Sequence, residues 1–127
     1  MRYNRAMLIL IRGLPGSVKS TRARKLARRG FVHLEADMWF ERRGAFDATL
    51  LPHAHAWCRA QTAAALKAGR DVVVSNTFIR RADLRPYIVA AARLGIITEV
   101  RCTTGRWRSL HNVPAEVLAQ MARDFEP

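Results

Sequence analysis

The sequence predicts an α/β domain of three layers, with a mainly parallel sheet of about four strands flanked by helices and a short basic lid. Three observations lead there. Ala6 to Arg12 is apolar up to its last residue, the pattern of a strand covered on both faces, and it runs directly into Gly13-Leu14-Pro15-Gly16. Strand-like and helix-like periods then alternate to the end of the chain, which is the order of βαβ units. Val72-Val73-Val74 is the clearest β-branched run and marks a central strand. The 127 residues suffice for one core and not for two, so a single domain over residues 1–127 is expected.

After the first strand and its turn, Ser20 to Arg29 sets Ala23, Leu26 and Ala27 at helical spacing among Arg22, Arg24, Lys25, Arg28 and Arg29. This is an amphipathic helix with a basic outer face, and Gly30 ends it. Phe31 to Glu35 reads as a second strand ending at Ala36-Asp37, and Met38 to Asp47 as a loop or ragged helix. Leu50 to Ala68 carries Leu51, Ala54, Cys58, Ala65 and Ala68 on one side of a long helix closed by Gly69. Asp71 to Ser75 is the third strand. A helix from Ala82 to Leu94 follows, with Asp83 as its cap and Pro86 tolerable only in the first turn, and Gly95 stops it. Ile96 to Arg101 makes a fourth strand, Cys102 to Val113 an exposed basic loop, and Pro114 to Arg123 a last helix with proline near its first position. In a sheet of this kind the ligand site lies beyond the carboxyl ends of the strands.

The 22 Lys and Arg against 10 Asp and Glu give a formal charge of +12, which favours a phosphate-bearing or polyanionic partner. An Arg-rich composition, 19 of the 22 cations, could account for much of the same charge. Cys58 and Cys102 form no CxxC pair, which argues against a disulfide framework or a zinc site and fits a reducing cytoplasm. The amino terminus imitates a signal peptide, but its apolar run is short and meets the glycine turn rather than a small-residue cleavage site. No apolar stretch is long enough to span a bilayer, so no membrane partner is expected.

Gly13-Leu14-Pro15-Gly16-Ser17-Val18-Lys19-Ser20-Thr21 matches the phosphate-loop pattern G-x-x-x-x-G-K-[ST] except that Val18 stands at the second glycine. With a strand entering and a helix leaving, backbone N–H groups would converge on phosphate oxygens. Lys19 would bridge the β- and γ-phosphates of ATP, and Ser20 would contact Mg²⁺. The glycine before the lysine adopts positive φ, and a β-branched residue there is strained by roughly 1 to 3 kcal/mol. That strain corresponds to a loss of binding of about 5- to 150-fold, so impaired ATP binding is expected.

The loop, with Ala36-Asp37-Met38-Trp39-Phe40, Ala54-His55-Ala56-Trp57-Cys58, Val74-Ser75-Asn76-Thr77-Phe78 and the end from Gly105-Arg106-Trp107 through His111-Asn112-Val113-Pro114, resembles the small P-loop kinases. These are related to the 5′-hydroxyl kinase domain of bacteriophage polynucleotide kinase and to zeta-toxin-type kinases, with an AAA-type ATP-binding domain. The resemblance covers nearly the whole chain in order. It implies that Asp37 is the general base, also able to reach Mg²⁺ through water, and that Asn76 and Thr77 position acceptor or metal. It further implies that Arg106 and Arg108, in the lid, stabilise charge on the transferred phosphoryl group. Two departures from the pattern stand out: Asn112 replaces a usual glycine, and the neutral Asn76 leaves no strong Walker B carboxylate in view.

Each of these residues has a plainer reading. Asp37 could be a helix cap, Asn76 and Thr77 ordinary turn residues, and Arg106 and Arg108 solvated cations. The stripe Arg22, Lys25 and Arg29 reads as a solvated face, whereas Arg80, Arg81 and Arg85 lie closer to the expected cleft and are the better substrate candidates. Trp39, Trp57 and Trp107 could stack on bases, with core packing preferred for Trp57. His33, His53 and His55 have no evident partners and read as structural.

The function expected first is an ATP- and Mg²⁺-dependent kinase acting on the 5′-hydroxyl of a nucleic acid. The alternatives are a kinase of a sugar or nucleotide metabolite and a non-catalytic relative that binds nucleic acid or a protein. Oligomeric state is not legible in the sequence.

Overall fold

A computed structural model describes residues 6–15, 17–103 and 114–127. Its elements run β1 (Met7–Arg12), α1 (Lys19–Ala27), β2 (Val32–Leu34), α2 (Met38–Glu41), α3 (Leu51–Lys67), β3 (Val72–Asn76), α4 (Arg81–Arg93), β4 (Ile97–Cys102) and α5 (Ala115–Asp124). A 3-10 turn at Ala48–Leu50 leads into α3, started by Asp47, whose Oδ1 accepts from Thr49 N at 2.9 Å.

The four strands form one sheet in the order β2-β3-β1-β4, and each neighbouring pair is parallel. The alternation of β1 divides the core. Leu8 and Leu10 enter a cluster with Leu34, Val72, Val74, Ala54, Cys58, Leu66, Leu84, Tyr87 and Ala91, which packs α3 and α4 on one face. Ile9 and Ile11 point the other way, with Val73, to meet Ala23 and Leu26 of α1. Burial on both faces is why β1 and β3 read as unbroken apolar runs. Edge strand β4 is far more open, with Ile97 74% exposed. Among the described residues no helix is long and apolar enough to cross a membrane.

Pro86 departs from expectation. It is the sixth residue of α4 and so lies beyond the first turn. The carbonyl that loses its partner belongs to Ala82, and both residues are exposed, so water can satisfy it. Asp83 is not the cap residue either. Arg80 holds that place, and Asp83, three residues on, accepts from Arg80 N at 3.1 Å. The segment 38–47, expected as loop or ragged helix, contains the short α2, whose Phe40 is buried.

Candidate active site

The end of β1 is tied to both neighbouring strands, since Gly13 N donates to Thr77 O at 3.2 Å and Thr103 N to Arg12 O at 2.8 Å. A Cβ at Gly13 would fall on Thr103 Oγ1 and Ser17 Oγ, so only glycine fits this close approach. Those two hydroxyls lie 2.6 Å apart in a buried contact that fixes the loop floor. Ser17 N closes the turn onto Leu14 O at 3.2 Å. Gly16 lies outside the described residues.

Val18 sits at φ 61° and ψ 19°, the left-handed conformation this motif demands, and it is 48% exposed. It precedes α1 without a side-chain cap, so among the described residues no side chain satisfies the N–H groups of the first turn. Lys19 folds back and donates from Nζ to Leu14 O at 3.0 Å. Burial lowers its pKa, opposed by the charges of Glu35 and Asp37. Thr21 is exposed on α1.

Ser20 Oγ donates to Glu35 Oε1 at 2.5 Å. The same oxygen accepts from Ser75 Oγ at 2.6 Å and lies 3.0 Å from His33 Nε2. His33 therefore has partners, contrary to the sequence reading, and it also lies 2.9 Å from Ser75 Oγ. Desolvation works against ionisation of Glu35, but the hydrogen bonds from His33, Ser20 and Ser75 outweigh it and bring its pKa down to about 2.

Asp37 follows two residues later, with its surface open to solvent. Partial desolvation raises its pKa first, the nearby Glu35 charge raises it further, and Lys19 and His55 oppose both. Asn76 is buried with its amide committed: Oδ1 accepts from Ala36 N at 2.9 Å, and Nδ2 points at Cys58 Sγ at 3.8 Å. It thus braces the turn that carries Glu35 and Asp37. Thr77 contributes its carbonyl to Gly13.

Arg80 and Arg81 are exposed at the start of α4. Arg81 N donates to Glu126 Oε1 and Arg81 Nε to Pro127 O, both at 2.8 Å, so this guanidinium is engaged by the chain's last residues. Trp39 meets Phe40 edge-on at 5.1 Å, lies parallel to His53 at 6.3 Å, and carries the Arg43 guanidinium 4.1 Å above its ring. His53 thus also has a neighbour. Trp57 packs half-buried against the main core. Arg106, Trp107 and Arg108, expected in a lid, lie outside the described residues, as do the other positions 104–113.

One functional candidate, Glu35, and one structural brace, Arg12, escaped the sequence reading. Glu35 stood as the last residue of a strand, and only the pairing of β2 with β3, which sets Leu34 beside Val74, brings it to Ser75. Arg12 is 4% exposed, with Nε and Nη2 donating to Phe78 O at 3.1 and 2.7 Å and its guanidinium 4.3 Å over the Phe125 ring. Its signal was available: a cation closing an apolar run just before the loop.

A cationic loop flanked by one strongly ionised and one more basic carboxylate is suited to phosphoryl transfer. The AAA domain family model matches residues 8–127. NEDD4-binding protein 2 of Homo sapiens is 28% identical over 138 residues, which covers 98% of this chain but only 8% of that protein. A chain in the structure of the Pnkp1/Rnl/Hen1 RNA repair complex superposes with a TM-score of 0.75 at 16% identity, over 95% of this chain and 44% of that one. A gluconokinase from Sinorhizobium meliloti 1021 superposes at 0.63 with 19% identity, over 100% of this chain and 78% of that one. At such identities the two structures speak for the fold alone. The chain belongs to the AAA domain family, it shares the fold of the P-loop kinases, and its phosphate loop carries valine ahead of its lysine.

Proposed function

We propose that residues 1–127 form one domain that transfers the γ-phosphoryl group of ATP to a 5′-hydroxyl of a nucleic acid. The observation that carries this reading is the convergence of Lys19, Ser20, Glu35 and Asp37 at the carboxyl ends of β1 and β2. The uncapped first turn of α1 fits a phosphate group, and the hard oxygen of Ser20, backed by the Glu35 carboxylate, fits Mg²⁺, which takes few protein ligands beside phosphates. Bound there, Mg²⁺ would neutralise phosphate charge.

The chain's own residues do the rest. Lys19 holds the β- and γ-phosphates. Asp37 accepts the proton of the acceptor hydroxyl as the new O–P bond forms and the bond to the bridging oxygen of ADP breaks. Asn76 keeps Asp37 in place through Ala36. Arg106 and Arg108, expected in the lid, would screen the transferring group. Arg80 and Arg81 supply positive charge for the acceptor strand, with Thr77 at the same strand end.

The formal charge of +12 favours a polyanionic acceptor over a neutral metabolite. The strain at Val18 is built into the fold, so in this reading its cost falls chiefly on stability rather than on affinity. A non-catalytic relative is the second reading, and Val18 is the observation that favours it.

The test is transfer of labelled γ-phosphate to a 5′-hydroxyl oligonucleotide as salt is raised. Transfer that weakens steeply with salt and drops about 10²- to 10⁴-fold in Asp37→Asn supports the proposal. Transfer only to a sugar or nucleotide moves the acceptor to the metabolite class. Absence of transfer in both this chain and Val18→Gly leaves the non-catalytic reading.

A further inference from the structure

The carboxylate partner of the phosphate-loop serine comes from an unexpected strand. A serine oxygen that turns a lone pair toward a cation must direct its single proton elsewhere. Here the proton goes to Glu35 Oε1 at 2.5 Å. That oxygen is held in turn by Ser75 Oγ at 2.6 Å and faces His33 Nε2 at 3.0 Å, so the carboxylate is fixed from three directions. Among the described residues Glu35 Oε2 accepts no hydrogen bond, which leaves one oxygen beside Ser20 uncommitted. The end of β3, where the sequence reading looked for this acid, offers only the neutral Ser75 and Asn76. Parallel pairing of Leu34 with Val74 sets positions 35 and 75 side by side at the strand ends.

We propose that Glu35 of β2 is the positioning carboxylate that orients the Ser20 hydroxyl for Mg²⁺, and that positions 35 and 75 are interchangeable hosts for this charge. The inference rests on the kinase reading of the site. Because the two strand ends present their side chains to one spot, a shorter acid at position 75 would reach the space that Glu35 fills from position 35. His33 and Ser75 are then the struts that hold Glu35 over Ser20, which gives the histidine of β2 a place in the site.

The experiment is calorimetric binding of ADP with Mg²⁺ and with EDTA, the readout being the ratio of the two affinities. It is run on the natural chain, Glu35→Gln, Ser20→Ala, the double variant of these two, and the exchange Glu35→Ser with Ser75→Asp. Thermal unfolding is followed for each. The ratio is expected to fall at least tenfold in Glu35→Gln and in Ser20→Ala, to fall no further in their double variant, and to return in the exchange. A Glu35→Gln variant that keeps the ratio while melting earlier would reduce Glu35 to a structural brace and overturn the proposal. So would an exchange variant that folds but does not recover the ratio. Equal affinities with Mg²⁺ and EDTA in the natural chain, alongside phosphoryl transfer, would overturn this inference and leave the kinase reading standing. No ADP binding and no transfer by the natural chain would overturn both.

Discussion

Val18, inside the phosphate loop, and Phe78, on the turn beside it, both hold positive φ, at 61° and 46°, and neither is glycine. Their surroundings differ. Phe78 is 4% exposed, meets the Tyr87 ring edge-on at 5.4 Å, and gives its carbonyl to two nitrogens of Arg12. Val18 is 48% exposed and gains no side-chain cap. Left-handed geometry costs an ordinary residue about 1 to 2 kcal/mol. At Phe78 aromatic burial and hydrogen bonds to a buried cation offset that cost, while at Val18 nothing comparable does. The same backbone strain is therefore absorbed in one turn and left standing in the other.

The two carboxylates on the end of β2 repeat the contrast in electrostatic form. Both suffer desolvation, but Glu35 receives hydrogen bonds from three side chains and Asp37 receives the repulsion of Glu35. One is therefore pinned as an anion, and the other is left more basic, which suits a proton acceptor.

The comparison can be broken most forcefully at Phe78. Phe78→Ala keeps the positive φ but removes the ring, and should lower unfolding free energy by about 3 to 5 kcal/mol in a denaturant titration. A loss below 1 kcal/mol would mean that packing does not hold this turn. Arg12→Met should cost about 2 to 3 kcal/mol in the same titration, because buried carbonyls of the Phe78 turn lose their donor.

Glu35→Gln tests the electrostatic half. The depressed pKa of Glu35 means that its stabilisation is fully present above its ordinary value of 4.5 and is lost as pH falls toward about 2. The variant should flatten that acid limb when unfolding is followed against pH. Val18→Gly sharpens the other side: relief of strain, less the added freedom of glycine in the unfolded chain, should stabilise by about 1 kcal/mol. Phe78→Gly, by contrast, should remain strongly destabilised.

The smallest effect on stability is expected from Asp37→Asn. A raised carboxylate pKa means the folded state binds the proton more tightly, so stability drops slightly as pH rises through that value, and the amide removes this drop. The pH–rate profile should show the matching limb, with transfer failing as pH falls through the raised pKa of Asp37.

The helices and strands were legible to within a residue or two at most ends, because each carries its own periodicity and most stop at a glycine or a turn. Pro86 was misjudged because tolerance of proline depended on which face of α4 met solvent, and His33 because its partner Ser75 lies 42 residues away. Arg12 read as the polar end of a strand. Its role needed the Phe78 turn and the Phe125 ring, 113 residues on, to close over it.

By itself the sequence determined that a parallel α/β domain would form and that its first turn would be a phosphate loop strained at Val18, since these follow from local apolar period and a contiguous motif. Only the tertiary structure decided which acid serves that loop. That Glu35 at the end of β2 meets Ser75 at the end of β3 is decided by sheet order and register, which answer to burial summed over the whole core rather than to any short stretch of chain.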